Sequence, residues 1–263
     1  MKLITSAQNE QLKHLFRLLT QAKARRESGE TVLEGVHLLQ TYLQSGDTPK
    51  QVYLPEKKQQ HPEIQEITAQ LDEGLITWVG NEALSKITSL TDADDVMTWI
   101  DIPQQAGLPS DGDCVVLERV QDPGNAGTIL RSAAAAGVKQ IVCGNDSVDI
   151  WSSKVLRAGM GAHFLLSIFS RVDLSAWMER YQHQIWATAL GGRNIGLYEM
   201  DLSQPCAWVF GNEGSGVSET VKEKADACVK IPMLGQTESL NVAMAATVCL
   251  FEQMRQRIHA QAV

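Results

Sequence analysis

The sequence predicts an α/β protein in two parts, a small N-terminal α/β unit and a larger C-terminal domain built on a mostly parallel sheet flanked by helices. Three observations carry this. From residue 113 onward, short and almost wholly apolar runs alternate with helical periods, as strands buried on both faces of a parallel sheet do. Between residues 103 and 112 stand two prolines and two glycines with little apolar content, the composition of a linker. The chain then ends in one long helix that is apolar nearly all round, which demands burial on most sides. A length of 263 residues suits two domains, divided as 1–102, a linker at 103–112, and 113–263.

In the first part, residues 9–26 read as an amphipathic helix with Leu12, Leu15, Phe16 and Leu19 on one face and Lys13, Arg17, Lys23 and Arg25 elsewhere. Residues 31–35 form a short strand, 36–43 a helix, 52–54 a strand, 64–71 a helix, and 75–79 and 96–100 two further strands. In the second part, strands fall at 114–118, 140–143, 164–168, 185–189, 207–211 and 228–231. Helices fall at 126–136, 174–182 and 218–224, and the final one runs from Ser239 to about His259.

Composition narrows the function. Five cysteines at 114, 143, 206, 228 and 249 form no CxxC pair, and most lie in apolar runs. They read as small buried hydrophobes in a reducing cytosol, and neither they nor the scattered histidines have metal-ligand spacing. No signal peptide and no run long enough to span a bilayer is present, so the expectation is a cytoplasmic protein with no membrane partner. The net charge of −8 counts against coating nucleic acid through a global field. Residues 1–30 are the exception, with six basic side chains against three acidic ones.

Three segments can carry chemistry. Asp122-Pro123-Gly124-Asn125-Ala126-Gly127-Thr128-Ile129-Leu130-Arg131 follows an apolar strand and opens a helix, with Asn125 a suitable N-cap. Arg131, well inside that helix, must reach solvent or meet an anion. Phe210-Gly211-Asn212-Glu213-Gly214-Ser215-Gly216 ends another strand, and its three glycines let backbone approach a ligand closely. Loops at the carboxyl ends of parallel strands are where such folds bind ligands. Residues 231–243, from Ile231-Pro232-Met233 to Ser239-Leu240-Asn241, run from a strand into the last helix, with Asn241 in its first turn beside free N–H groups. Each segment alone also reads as an ordinary strand–helix turn. No GxGxxG follows the first strand of either half, which argues against a dinucleotide-dependent oxidoreductase.

In this order and register the three segments resemble the SpoU/TrmH family of RNA 2′-O-methyltransferases of the SPOUT superfamily, over Val115 to Gln256. More weakly, Ser6-Ala7-Gln8-Asn9, Lys13 and Val32-Leu33-Glu34-Gly35 resemble the L30e-like substrate-binding domain that often precedes this catalytic domain. The chain reads Ala93-Asp94-Asp95-Val96 where the family often has Pro-Gln-Gly.

The resemblance implies a trefoil-knotted α/β domain, a homodimer through it, and S-adenosylmethionine as cofactor. It places the cofactor against Thr188, Ala189, Leu190, Gly211, Asn212, Gly216, Ile231, Met233 and Leu240. It implies catalytic roles for Arg131, Asn125, Glu213, Ser239 and Asn241, and methyl transfer to a ribose 2′-hydroxyl, in ribosomal RNA ahead of transfer RNA. A non-catalytic RNA-binding relative is the alternative from another class. An arginine holds its proton too firmly to be an easy general base, so Arg131 is read as a phosphate clamp that stabilises developing charge on the ribose oxygen. Asn125 is expected to orient the ribose or Arg131, and Glu213 to accept hydrogen bonds from a ligand or from Arg131. Lys13, Arg17, Lys23, Arg25, Arg26 and Arg157 are expected to contact RNA.

Overall fold

A computed structural model describes residues 2–88, 96–189 and 194–261. It divides into two compact units, one of residues 1–104 with 151–164 and the other of residues 105–150 with 165–263. Ala93 to Asp95, and Leu190 among the expected cofactor contacts, lie outside the described residues.

The first unit is built from β1 (Lys2–Ile4), α1 (Glu10–Thr20), α2 (Ala22–Ser28), β2 (Glu30–Glu34), α3 (Val36–Gln44), β3 (Gln51–Pro55), α4 (Pro62–Thr68), β4 (Ile76–Val79), α5 (Asn81–Leu84) and β5 (Met97–Asp101). Its sheet runs β1-β4-β3-β5-β2, parallel from β1 to β3 and antiparallel beyond. Leu12, Leu15, Leu18 and Leu19 of α1 pack with Val32, Tyr53 and Val79 into its core.

Three expectations are corrected here. The helix over 9–26 is two helices, broken at Gln21, whose backbone is extended. Arg25 makes the break tolerable. It is only 4% exposed, and its guanidinium donates to the carbonyls of Leu18 and Leu19 at the open end of α1. It is thus an internal helix cap and has no free face for RNA. Phe16 leaves the apolar face to Leu18 and stands half-exposed.

Arg157 also changes meaning. It lies on α7 (Ser153–Gly159), and its guanidinium pairs with Glu34, whose side chain is wholly buried. It neutralises an interior carboxylate at the end of β2.

The second unit holds β6 (Cys114–Leu117), α6 (Pro123–Ala135), β7 (Gln140–Gly144), β8 (Ser167–Val172), α8 (Leu174–Met178), β9 (Gln184–Thr188), β10 (Asn194–Gly196), β11 (Cys206–Phe210), α9 (Glu219–Lys224), β12 (Ala227–Lys230) and α10 (Val242–Gln261). Its seven strands run β10-β12-β9-β11-β6-β7-β8, every pair parallel. Parallel strands buried on both faces explain the uninterrupted apolar runs at 114–117 and 206–210. Val116, Val142, Ile185 and Val209 meet Trp177 and Tyr181 in the core. The Trp177 indole donates to Pro109 O at 2.7 Å and the Tyr181 hydroxyl to Gly112 O at 2.6 Å, which satisfies both polar handles.

One acidic side chain ties the last helix to the sheet. Asp113 accepts from Cys206 N at 3.0 Å, from Gln253 Nε2 at 3.0 Å and from Arg257 Nη2 at 2.9 Å. Gln253 Oε1 in turn accepts from the Trp208 indole at 2.6 Å. Among the described residues no helix is long and apolar enough to cross a membrane.

Replacing Arg157 with alanine strips a buried carboxylate of its counter-charge. Because the arginine is partly exposed, we expect a stability loss of about 2 kcal/mol, below that of a fully buried pair. The urea midpoint should fall while the salt dependence of RNA binding stays at the wild-type slope; a shallower slope would return Arg157 to the RNA surface.

Candidate active site

Four strands of the second unit deliver the site. The carboxyl ends of β6, β9, β11 and β12 lie side by side in the sheet, so the turns that follow them face one region. A cavity of about 330 Å³ opens there. Thr188 at the end of β9 and Ala189 after it line the cavity, with residues 211–217 beyond β11, Ile231 and Met233 beyond β12, and Ser239, Leu240, Val242 and Ala245 completing the wall.

The turn after β11 is held by its own residues. Asn212 and Gly216 exchange backbone hydrogen bonds at 3.1 and 2.8 Å. The Asn212 side-chain oxygen accepts from the N–H groups of Gly214 and Ser215, both at 3.0 Å. Its amide nitrogen reaches across to donate to Arg119 O at 3.0 Å. Gly211 has no alternative here, because a Cβ on it would overlap the backbone of Gly216 and Val217. Gly216 has φ +67°, the left-handed region that glycine enters without strain.

The start of α6 differs from the sequence expectation. Asp122, with Pro123 behind it, is the N-cap, and its side chain accepts from Asn125 N at 2.8 Å. Asn125 is thereby freed from capping and sits inside the first turn. Its Nδ2 donates to Glu213 Oε1 at 3.1 Å, and its Oδ1 accepts from Asn241 Nδ2 at 2.9 Å. The last helix is corrected too. It starts at Val242, three residues beyond Ser239, and Asn241 caps it by accepting from Ala243 N at 2.9 Å and Met244 N at 3.3 Å.

Glu213 therefore faces protein donors. Oε1 accepts from Asp122 N at 3.0 Å and Oε2 from Gln121 N at 3.2 Å, besides the Asn125 amide. No bond joins it to Arg131. Partial burial opposes ionisation of the carboxyl, but the donors from Asp122, Asn125, its own backbone and Gln121 outweigh it and hold the pKa below the usual glutamate range.

Arg131 stands apart from this chain. It is exposed on α6, and no hydrogen bond or ion pair engages it among the described residues. Its helix is fixed against α10, where the hydroxyls of Ser132 and Thr247 meet at 2.7 Å. The guanidinium is thus carried on a rigid element with its donors open. Ser239 is exposed at the cavity wall.

The structure also brings in residues that the motifs do not announce. Arg119, with φ +57°, donates to Glu118 Oε1 at 2.8 Å and to Gly216 O at 3.2 Å. The other oxygen of the buried Glu118 accepts from Ser218 N at 3.3 Å. The available signal is a Glu-Arg pair directly after an apolar strand, where a continuing core has no use for charge. Lys222 lines the cavity from α9.

The cavity's size is in the range of small-molecule sites, about 300–1,000 Å³. Apolar Val217, Val229, Ile231 and Leu240 give flat surfaces for a heteroaromatic ring, beside the main chain of Gly211 to Gly216 and the Lys222 ammonium. That set fits S-adenosylmethionine, which has an adenine, a ribose and a charged amino-acid end.

The SpoU rRNA Methylase family matches residues 113–251, and an MRM3-like substrate binding domain matches residues 9–98. An uncharacterised tRNA/rRNA methyltransferase of Synechocystis sp. is 37% identical, over 97% of this chain and 94% of its own. The 23S rRNA (guanosine(2553)-2′-O)-methyltransferase RlmP of Bacillus subtilis is 31% identical, over 95% of this chain and 98% of its own. Among solved structures, the AdoMet-bound rRNA methyltransferase of Sinorhizobium meliloti superposes with a TM-score of 0.82 at 30% identity, covering 97% of each chain.

Two outcomes are expected. Gly211→Ala should cost at least tenfold in S-adenosylmethionine affinity by calorimetry, because the added methyl displaces the 216–217 backbone from the cavity wall. Since its folded-state pKa is depressed, Glu213 stabilises the site above the ordinary glutamate value of about 4.3. That contribution is lost as pH falls through the lower, folded value. S-adenosylmethionine binding should hold at pH 5 and decline only in more acid solution, and Glu213→Gln should remove that step.

Proposed function

Because this chain belongs to the SpoU rRNA methylase family, we infer that it transfers a methyl group to a ribose 2′-hydroxyl of RNA. It is an S-adenosylmethionine-dependent RNA 2′-O-methyltransferase. We propose ribosomal RNA as its substrate, and within it a guanosine ribose of 23S rRNA, following the activity of the Bacillus subtilis relative. The observation that carries the catalytic reading is the hydrogen-bond chain from Glu213 through Asn125 to Asn241, with an unengaged Arg131 on the same helix.

Bound in the cavity, S-adenosylmethionine supplies an electrophilic methyl on a sulfonium. The protein's part is to position and to stabilise charge. Thr188, Ala189, Gly211, Asn212, Gly216, Ile231, Met233 and Leu240 are assigned to holding the cofactor, and Leu190 is proposed with them. Asn125, Glu213 and Asn241 are positioning residues, because their polar atoms are spent on one another and on backbone. Arg131 is assigned to clamping the phosphate beside the target ribose and to stabilising negative charge as the 2′-oxygen becomes a nucleophile. Ser239 completes the wall.

Residues 1–102 are proposed as the RNA-holding part, 103–112 as linker and 113–263 as the methyl-transferring part. Exposed Lys13, Arg17, Lys23 and Arg26 are the proposed phosphate contacts. The trefoil-knotted path of the C-terminal domain is inferred with the family. A homodimer is favoured by the apolar side chains that α10 and its approach leave exposed, Leu240, Met244 and Phe251. A cytoplasmic location agrees with five free cysteines.

Arg131→Ala should lower turnover on RNA by about a hundredfold or more, the scale for losing one preorganised charge donor. Its S-adenosylmethionine affinity should stay within a few-fold of wild type. Near-normal turnover would remove Arg131 from the mechanism, and absence of any heat with S-adenosylmethionine in the wild type would remove the cofactor assignment.

A further inference from the structure

The first unit carries a second concave site that methyl transfer does not use. A groove of about 480 Å³ runs beside α1, and Phe16 lines it while 43% exposed. Four leucines of α1 already fill the core, so the ring is not there for packing. Buried Ile87 underlies the groove, and Lys13, Arg17 and Lys86 add positive charge against the single carboxylate of Glu10. Arg17 and Lys86 are exposed, and their side chains form no hydrogen bond or ion pair among the described residues. Lys13 is bonded to Glu10 at 2.8 Å, an exposed pair one helical turn apart, of the kind that yields readily to a stronger anion.

We propose that this groove is a subsite for one unpaired nucleotide of the RNA, with its base stacked on Phe16 and the flanking phosphates held by Arg17 and Lys86. A purely apolar partner leaves Arg17 and Lys86 unanswered, and a purely anionic one leaves the ring wet. A nucleotide answers both, with a flat apolar face between two negative charges. Paired bases in an A-form helix keep their faces stacked, so the subsite selects loops, bulges or ends over continuous duplex. The proposal rests on the reading that the N-terminal part holds the RNA.

The test uses the full chain, a short single-stranded oligoribonucleotide and a blunt RNA duplex of equal length. Phe16→Leu alters an exposed position and keeps it apolar. It should weaken single-strand binding by about five- to a hundredfold, the scale of one lost stacking contact, and leave duplex binding and S-adenosylmethionine binding as in the wild type. Phe16→Trp should bind the single strand like the wild type, with the added fluorescence quenched on binding. Arg17→Ala with Lys86→Ala should flatten the single-strand salt slope by roughly 1.4. If the wild type binds RNA and Phe16→Leu binds the single strand equally well, the subsite is refuted and the substrate-domain reading survives. If the wild type binds neither RNA, both fall. Quenching of the Phe16→Trp protein by polyglutamate and not by RNA would assign the groove to an acidic protein and overturn the proposal.

Discussion

The carboxylate of Glu213 and the side-chain amides of Asn125 and Asn241 form one hydrogen-bond chain, and the geometry of the candidate site depends on it. The three residues stand in turns that are 88 and 116 positions apart in sequence. A parallel sheet brings such turns to the same edge, but it does not fix their mutual distance, and the chain of bonds does. Its polarity is consistent from end to end. Asn241 gives its amide hydrogen to Asn125 and offers its oxygen to the first free N–H groups of α10. Asn125 gives its own amide hydrogen to Glu213, which also collects the N–H groups of Gln121 and Asp122. An aspartate at 125 would set its carboxylate against that of Glu213, and one at 241 would set its carboxylate against the Asn125 amide oxygen, in each case without the intervening donor. Each bond is worth about 1 kcal/mol alone, but a network in which every member is satisfied resists local opening as a unit.

That rigidity gives meaning to Arg131, whose side chain has no hydrogen bond or ion pair among the described residues. Electrostatic stabilisation is effective when the charge is in place before the reaction and no bond must be broken to use it. Arg131 lies in the middle of α6, whose N-terminus is clamped through Asp122 and Asn125 and whose flank is joined to α10 through Ser132 and Thr247. The backbone beneath the guanidinium is immobilised from two sides, while its five donors remain available to a phosphate and a ribose oxygen. Had Glu213 paired with Arg131, the cation proposed to hold the phosphate would have been neutralised and the substrate would have had to displace a carboxylate.

Much of this was legible in the sequence, and the failures have physical causes. Strands and helices buried on one face or both announce themselves by apolar period, which is why β6, β7, β9, β11 and α3 lie close to where periodicity puts them. Short edge strands such as β1 and β10 carry three residues each and no period to read. Both helix starts in the site were misplaced for one reason. Asn, Asp and Ser are all competent caps, and sequence alone cannot say which of Asp122 and Asn125, or of Ser239 and Asn241, turns its oxygen back to the first N–H groups. The choice matters chemically, because the residue that does not cap is the one left free to join the network. Arg25 and Arg157 were misread because a basic residue in a polar stretch looks solvated whether it reaches water or an interior acceptor. Only tertiary structure places the Leu18 carbonyl and the Glu34 carboxylate beneath them.

The remaining tension is between a net charge of −8 and a polyanionic substrate. Net charge governs attraction at distances over which the field is not screened, and in physiological salt that distance is only about 8 Å. Beyond it, the acidic side chains of one part of the chain are invisible to a phosphate approaching another. What counts is the local balance within one screening length. The lining of the groove on α1 offers three cations to one carboxylate, and Arg131 stands exposed on α6 with no ion pair among the described residues. On the proposed assignment, an acidic protein with two such places binds RNA there and is repelled elsewhere. For an enzyme that must seat one particular ribose, this is more useful than a uniformly basic surface, because misplaced complexes gain little and release quickly.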